Sequence, residues 1–144
     1  MGLYLCISQP SENQDEDPEE IDGVAVGAYS DFADFRDTVL REVENGAHGS
    51  LCPVLQLHSD CDGEWSPDEC VRLRAELARV KRVFLERPAR PPGGWQAQVI
   101  AELRLPPRQS LFDSFIDPDG QPLVDRLDEL CAQAIRLQLP ISFQ

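Results

Sequence analysis

At 144 residues and 42% hydrophobic, the chain can bury the core of one globular domain without metal or disulfide staples, and no apolar run approaches the roughly 20 residues of a membrane span. The formal net charge of −13 sits wholly in the front half: residues 1–66 hold fifteen acids and two arginines, whereas residues 67–144 hold eleven of each sign. Such a field repels nucleic acid and attracts basic partners.

The five cysteines, Cys6, Cys52, Cys61, Cys70 and Cys131, are odd in number, widely spaced and without a C-x-x-C. A disulfide framework does not fit them, so a reducing cytoplasm is expected. Cys6, Cys70 and Cys131 fall within apolar patterns and read as small core residues. The N-terminus has no basic region before its short apolar run, and Cys6 stands where a myristoylation signal wants Ser or Thr. Only one of the thirteen basic residues is lysine, a bias of GC-rich coding and hence of a high-GC bacterium.

In chain order, Leu3 to Ile7 reads as a strand buried on both faces. Residues 11–22 carry seven acids and no base, and predict an exposed acidic loop. Gly23 to Tyr29 suits a second short strand. Ser30 is placed as a helix N-cap with Asp31 in the first turn, and Phe32, Phe35, Val39 and Val43 repeat at helical spacing to about Glu44. Asn45-Gly46 is a stop signal. Leu51 to His58 reads as a strand, with Pro53 placing it at an edge or near the strand start.

Ser66-Pro67-Asp68-Glu69 is the clearest local signal: an N-cap, a proline at the first helical position and a glutamate closing a capping box. Cys70, Leu73, Leu77, Val80 and Phe84 then form one apolar stripe. Gly93-Gly94 is a turn, and Trp95 to Leu103 is a shorter helix closed by Pro106-Pro107. Ser110 to Ile116 reads as a helical turn running into a short strand, and Asp117-Pro118-Asp119-Gly120 as a tight turn. Leu123, Leu127, Leu130, Ala134 and Leu137 make a last amphipathic helix, and Pro140 to Gln144 a docked strand. The whole predicts a single α+β domain over 1–144. A mixed sheet of about four or five short strands carries about four helices.

The densest polar cluster is His58-Ser59-Asp60-Cys61-Asp62-Gly63-Glu64-Trp65. Asp60, Asp62 and Glu64 offer oxygens of the kind a hard cation takes, but the spacing is not that of an EF-hand. Zinc through His58, Cys61 and Cys70 matches no standard module. Acid–base catalysis by the carboxylates is the alternative function, although no nucleophile or oxyanion donor set accompanies them. A Cys–His pair is formally available, but nothing marks Cys52 or Cys61 as activated. Structurally, acids before a helix start favour the helix dipole, and Trp65 suits a hydrophobic staple against Cys70 or Val71. No P-loop, Gly-x-Gly-x-x-Gly or Gly-x-Ser-x-Gly occurs.

No cofactor is therefore expected, and binding is favoured over catalysis. The contact surface is placed at His58, Asp60, Asp62, Glu64 and Trp65, with Asp117 and Asp119 joining it if their turn folds nearby. Arg72, Arg74, Arg79, Lys81, Arg82 and Arg87 put six cations along one helix, where they suit pairing with the protein's own acids better than nucleic acid.

MGLYLCI, EIDGVAVGAYSDF, HSDCDGEWSPDEC, FIDPDG and PISFQ, spread over nearly the whole chain, together resemble small bacterial immunity proteins of polymorphic-toxin systems. The resemblance implies a cytosolic inhibitor that binds and neutralises a cognate toxin domain. Many such proteins are small, acidic α+β domains, because many of their targets are basic nucleases. It assigns no role to any individual residue.

Overall fold

The computed structural model describes residues 2–13 and 15–144; Met1 and Gln14, the latter within the predicted acidic loop, lie outside the described residues. Two long strands, β1 (Gly2–Gln9) and β2 (Glu19–Ala28), lead into helix α1 (Tyr29–Glu42). The single turn α2 (Pro53–Gln56), the two-residue strand β3 (Glu64–Trp65) and the long helix α3 (Pro67–Leu85) follow. The chain closes with α4 (Gly94–Leu103), the turn α5 (Leu111–Ser114), α6 (Leu123–Leu137) and β4 (Ile141–Phe143). The α+β class therefore stands.

The sheet runs β2-β1-β4-β3, and each neighbouring pair is antiparallel, where a mixed sheet was expected. The C-terminal strand docks as its alternating apolar residues predict. It sits between β1 and β3, with Leu5 opposite Phe143 and Trp65 opposite Ile141. One face of β1 carries Leu3, Leu5 and Ile7 into the core. The other face is only partly covered, since Tyr4 and Ser8 are half-buried beside a buried Cys6. A strand buried on both faces is thus corrected to a sheet with one closed face.

Helices α1 and α6 cover that closed face, and α3 packs on α6. Their apolar stripes follow the 3.6-residue period, through Phe32, Phe35 and Val39, through Leu73, Leu77, Val80 and Phe84, and through Leu127, Leu130 and Ala134. Phe35, Phe84 and Phe115 meet in a three-ring cluster with centroids 5.4 to 6.2 Å apart, mostly edge to face. Helix α4, although rich in apolar residues, has no fully buried residue.

Three boundaries differ from expectation. Helix α1 is capped at Ala28, not Ser30, because the Asp31 carboxylate accepts the Ala28 N–H at 2.7 Å. Strand β2 begins at Glu19, so Glu19, Glu20 and Asp22 of the predicted acidic loop pair with β1, with Ile21 at a register shift between them. There Glu20 also accepts the Tyr4 hydroxyl, which together with burial pushes that phenol up to about 12. The third difference is the largest. The predicted strand over 51–58 is the single helical turn α2. Pro53 suits it, because the first helical position has no use for an N–H.

Phe35 is fully buried at the centre of the aromatic cluster. Phe35→Ala should lower the unfolding free energy by about 3–5 kcal/mol. Urea titration checks this, and a loss below about 1 kcal/mol would show that the cluster does not hold α1 and α3 together.

Candidate partner-binding surface

The turn from Leu57 to Glu64 leaves α2 and enters β3, so both of its ends are fixed. At the far end, Ser66 and Glu69 close the predicted capping box of α3: the Ser66 hydroxyl accepts the Glu69 N–H and the Glu69 carboxylate accepts the Ser66 N–H, each at 3.1 Å. Trp65 lies just before this cap and is fully buried. Its indole N–H donates to the Val54 carbonyl at 3.2 Å, tying β3 to α2. Its ring meets Phe143 edge-on at 4.6 Å. Val71 is exposed, so it is not the partner of a Trp65 staple.

At the near end, two carboxylates reach up from the core. Glu44, 3% exposed, accepts the N–H groups of Leu51 and Cys52 at 3.0 and 3.1 Å. Glu76, 7% exposed, accepts those of Val54 and Leu55 at 3.1 and 3.0 Å. The amides of the α2 start, which would otherwise pair with a neighbouring strand or with water, are taken by these side chains. Burial pushes the Glu44 carboxyl up, but its bonds from Leu51 and Cys52 prevail and hold it below the ordinary value. For Glu76 burial wins, helped by the nearby Glu44 charge, and the carboxyl is raised.

His58 forms the inside of the turn. Its ring stacks on Phe143 at 4.2 Å, with Nδ1 2.7 Å from the Ser59 carbonyl and Nε2 3.0 Å from the Glu64 carbonyl. The imidazole therefore bridges the two sides of the loop. Gly63 passes directly over it at φ +82°, where a Cβ would stand 3.3 Å from the imidazole Cε1. The Gly63 carbonyl accepts the Phe143 N–H at 3.0 Å. From α1, Arg36 donates to the His58 carbonyl at 2.6 Å and lies over the Phe32 ring. Burial lowers the Arg36 pKa, and the Asp60 charge opposes that shift.

Asp60, Asp62 and Glu64 project from this frame and are exposed. Among the described residues none of the three forms an ion pair. The other half of the molecule is different: Arg74 pairs with Asp128, Lys81 with Asp125 and Arg87 with Glu42. Three cations of the α3 region thus pair with the protein's own acids, as their spacing suggests.

Two of the predicted contact residues are buried. Trp65 is buried, and its role is to join α2, β3 and β4. Asp117, 3% exposed, is turned inward: its Oδ1 accepts the N–H groups of Asp119 and Gln121 at 3.0 and 2.9 Å, and its Oδ2 lies 3.4 Å from Arg126. Arg126 also donates to the Gly23 carbonyl on β2. The Asp117 turn therefore belongs to the β2 edge, whereas the His58–Glu64 turn belongs to the β3 edge. β2 and β3 are the two opposite edges of the sheet, and Asp119 is exposed on the former turn.

No group of three or more His, Cys, Asp or Glu side chains converges to hold a metal among the described residues. Cys70 lies in the core against Cys131, whose thiol is pushed up by that contact and by burial, so the zinc set His58, Cys61 and Cys70 does not assemble. Cys52 is raised to about 12 by burial and by the Glu76 and Glu44 charges, which keeps the thiol protonated and unreactive at neutral pH. Sequence reasoning missed Arg36, Glu44, Glu76 and Phe143 as builders of this surface. The only local cue was the proline at the start of α2.

Glu44→Ala leaves two enclosed N–H groups without their acceptor and should cost about 2–4 kcal/mol in urea unfolding. The two carboxylates carry opposite pH signatures. Glu44, depressed in the fold, contributes stability above its unfolded value of 4.5 that is lost as pH falls through the folded value. Glu76, raised in the fold, contributes stability below that value that is lost as pH rises through its folded one. Between about pH 3 and 7, the cost of Glu44→Gln should therefore grow with pH and that of Glu76→Gln should shrink. Parallel pH profiles for the two variants would contradict the assignment.

Comparison with curated proteins gives no match, and neither does comparison with solved structures. No helix of the described residues is long and apolar enough to cross a membrane. The family model described as Immunity protein 70 matches residues 17–143, which span β2 through β4 and include the whole 58–64 turn. The chain belongs to the Immunity protein 70 family, and its role is that of a toxin-neutralising immunity protein.

Proposed function

We propose that this protein works in the cytoplasm by binding a cognate, basic toxin domain through the acidic turn at the β3 edge. The observation that carries the reading is the contrast in charge pairing. Asp60, Asp62 and Glu64 are exposed without ion-pair partners on a turn fixed by His58, Gly63 and Arg36, whereas Asp128, Asp125 and Glu42 are spoken for. Asp60 feels the Arg36 charge without forming an ion pair with it, and an acid outside any ion pair keeps much of its field for a partner. One held by a rigid backbone also loses little freedom when that partner arrives.

The exposed acids Glu12, Asp15, Glu16 and Asp17 between β1 and β2 add long-range attraction. Their effect belongs to the rate of encounter, because the −13 net charge draws a basic domain in from beyond contact distance. Inhibition then follows from occupancy: the acidic face covers basic residues that the toxin needs for its own substrate. His58 shapes this face from inside. The four buried cysteines and the one exposed, all unpaired, suit a reducing compartment.

The triple change Asp60→Asn, Asp62→Asn, Glu64→Gln keeps shape and removes charge. Binding kinetics against the toxin domain encoded beside the gene should show an association rate lowered about tenfold or more at low salt, with a flatter salt dependence. The same variant should protect cells poorly when the toxin is co-expressed. Unchanged association and full protection would remove the acidic turn from the interface.

A further inference from the structure

Helix α2 is apolar on its outer side as well as its inner one. Leu57 is 63% exposed and Leu51 40% exposed, with Pro53 exposed between them. Single exposed leucines are ordinary, but these two flank one helical turn. The Leu57 side chain folds back over Gly49, where an added Cβ would lie 2.9 Å from Leu57 Cδ2. The backbone beneath is held at every available point, by Glu44, by Glu76 and by the Gln56 side chain donating to the Arg36 carbonyl at 2.9 Å. Leu57 leads along the chain directly into the turn that carries Asp60, Asp62 and Glu64.

We propose that Leu51, Pro53 and Leu57 form the apolar centre of the toxin contact, with the three unpaired carboxylates as its rim. This rests on the reading of the 58–64 turn as the toxin-binding surface. The face it fits is an apolar depression flanked by lysine or arginine. Charge selects that occupant over a second copy of the chain, since two copies at −13 each would bring unpaired acids together across the contact. An anionic membrane surface is repelled for the same reason. The two parts of the surface divide the work. The rim governs how fast the partners meet, and the desolvated leucine governs how slowly they part.

The test is binding kinetics against the toxin domain encoded beside the gene, in a catalytically inactive form, at two salt concentrations. Leu57→Ala should raise the dissociation rate about tenfold or more while leaving the association rate within about twofold and its salt dependence unchanged. Leu57→Met, which keeps the apolar bulk, should stay close to the unmodified protein. Because Leu57 lies outside the core, the unfolding midpoint of either variant should not move, which separates binding from folding. An unaltered dissociation rate for Leu57→Ala, alongside slowed association for the triple charge variant, overturns the apolar centre and leaves the acidic turn standing. If neither variant alters binding, both readings fall.

Discussion

Four backbone amides between Leu51 and Leu55 are held by two buried carboxylates, and the geometry of the exposed surface follows from that arrangement. Glu44 comes from the end of α1 and Glu76 from the middle of α3, so the bonds also staple two core helices to one short turn. Burying a carboxylate is costly unless its oxygens are fully employed. Glu76 employs both oxygens, one on Val54 and one on Leu55, whereas Glu44 takes both of its N–H groups on Oε2 and keeps Oε1 buried without a partner. The result is a segment with almost no secondary structure of its own that is nonetheless fixed in place.

From that anchor the rest of the surface is built outward. Val54 offers its carbonyl to Trp65, which brings β3 against α2. Trp65 and Phe143 make the floor on which His58 stacks, and His58 spans the loop between Ser59 and Glu64. The C-terminal strand is therefore part of the surface as well as of the sheet. An opposite arrangement serves the β2 edge. There an aspartate is turned inward, its lone pairs used up by Asp119, Gln121 and Arg126. Similar acidic turns thus acquire different roles according to where their carboxylates point.

Much of the fold was legible because its signals are local. The capping box at Ser66, the stripe from Leu123 to Leu137, the Asp117 turn and the alternating C-terminal residues each carry their own cue within a few positions. The surface was only half legible. The acids of the 58–64 turn stand out by composition, but the depth of Trp65 and Asp117 depends on contacts with distant segments. Residues 51–58 are apolar enough to read as a strand, and nothing nearby in sequence shows that their amides are claimed by Glu44 and Glu76. Glu76 itself looks like one more acid on a charged helix, and only the packing of α3 on α2 reveals that it faces inward.

On the proposed interface, one fixed surface from Leu51 through Glu64 meets the toxin. Amide hydrogen exchange of this chain, alone and saturated with the toxin domain encoded beside its gene, measures that directly. Added protection should appear across 57–64 and on the outer side of α2, while the Asp117–Gln121 turn and the paired-charge face of α3 and α6 keep their free-state rates. Protection centred on the β2 edge or on the α3–α6 face, with 51–64 unchanged, would contradict the account.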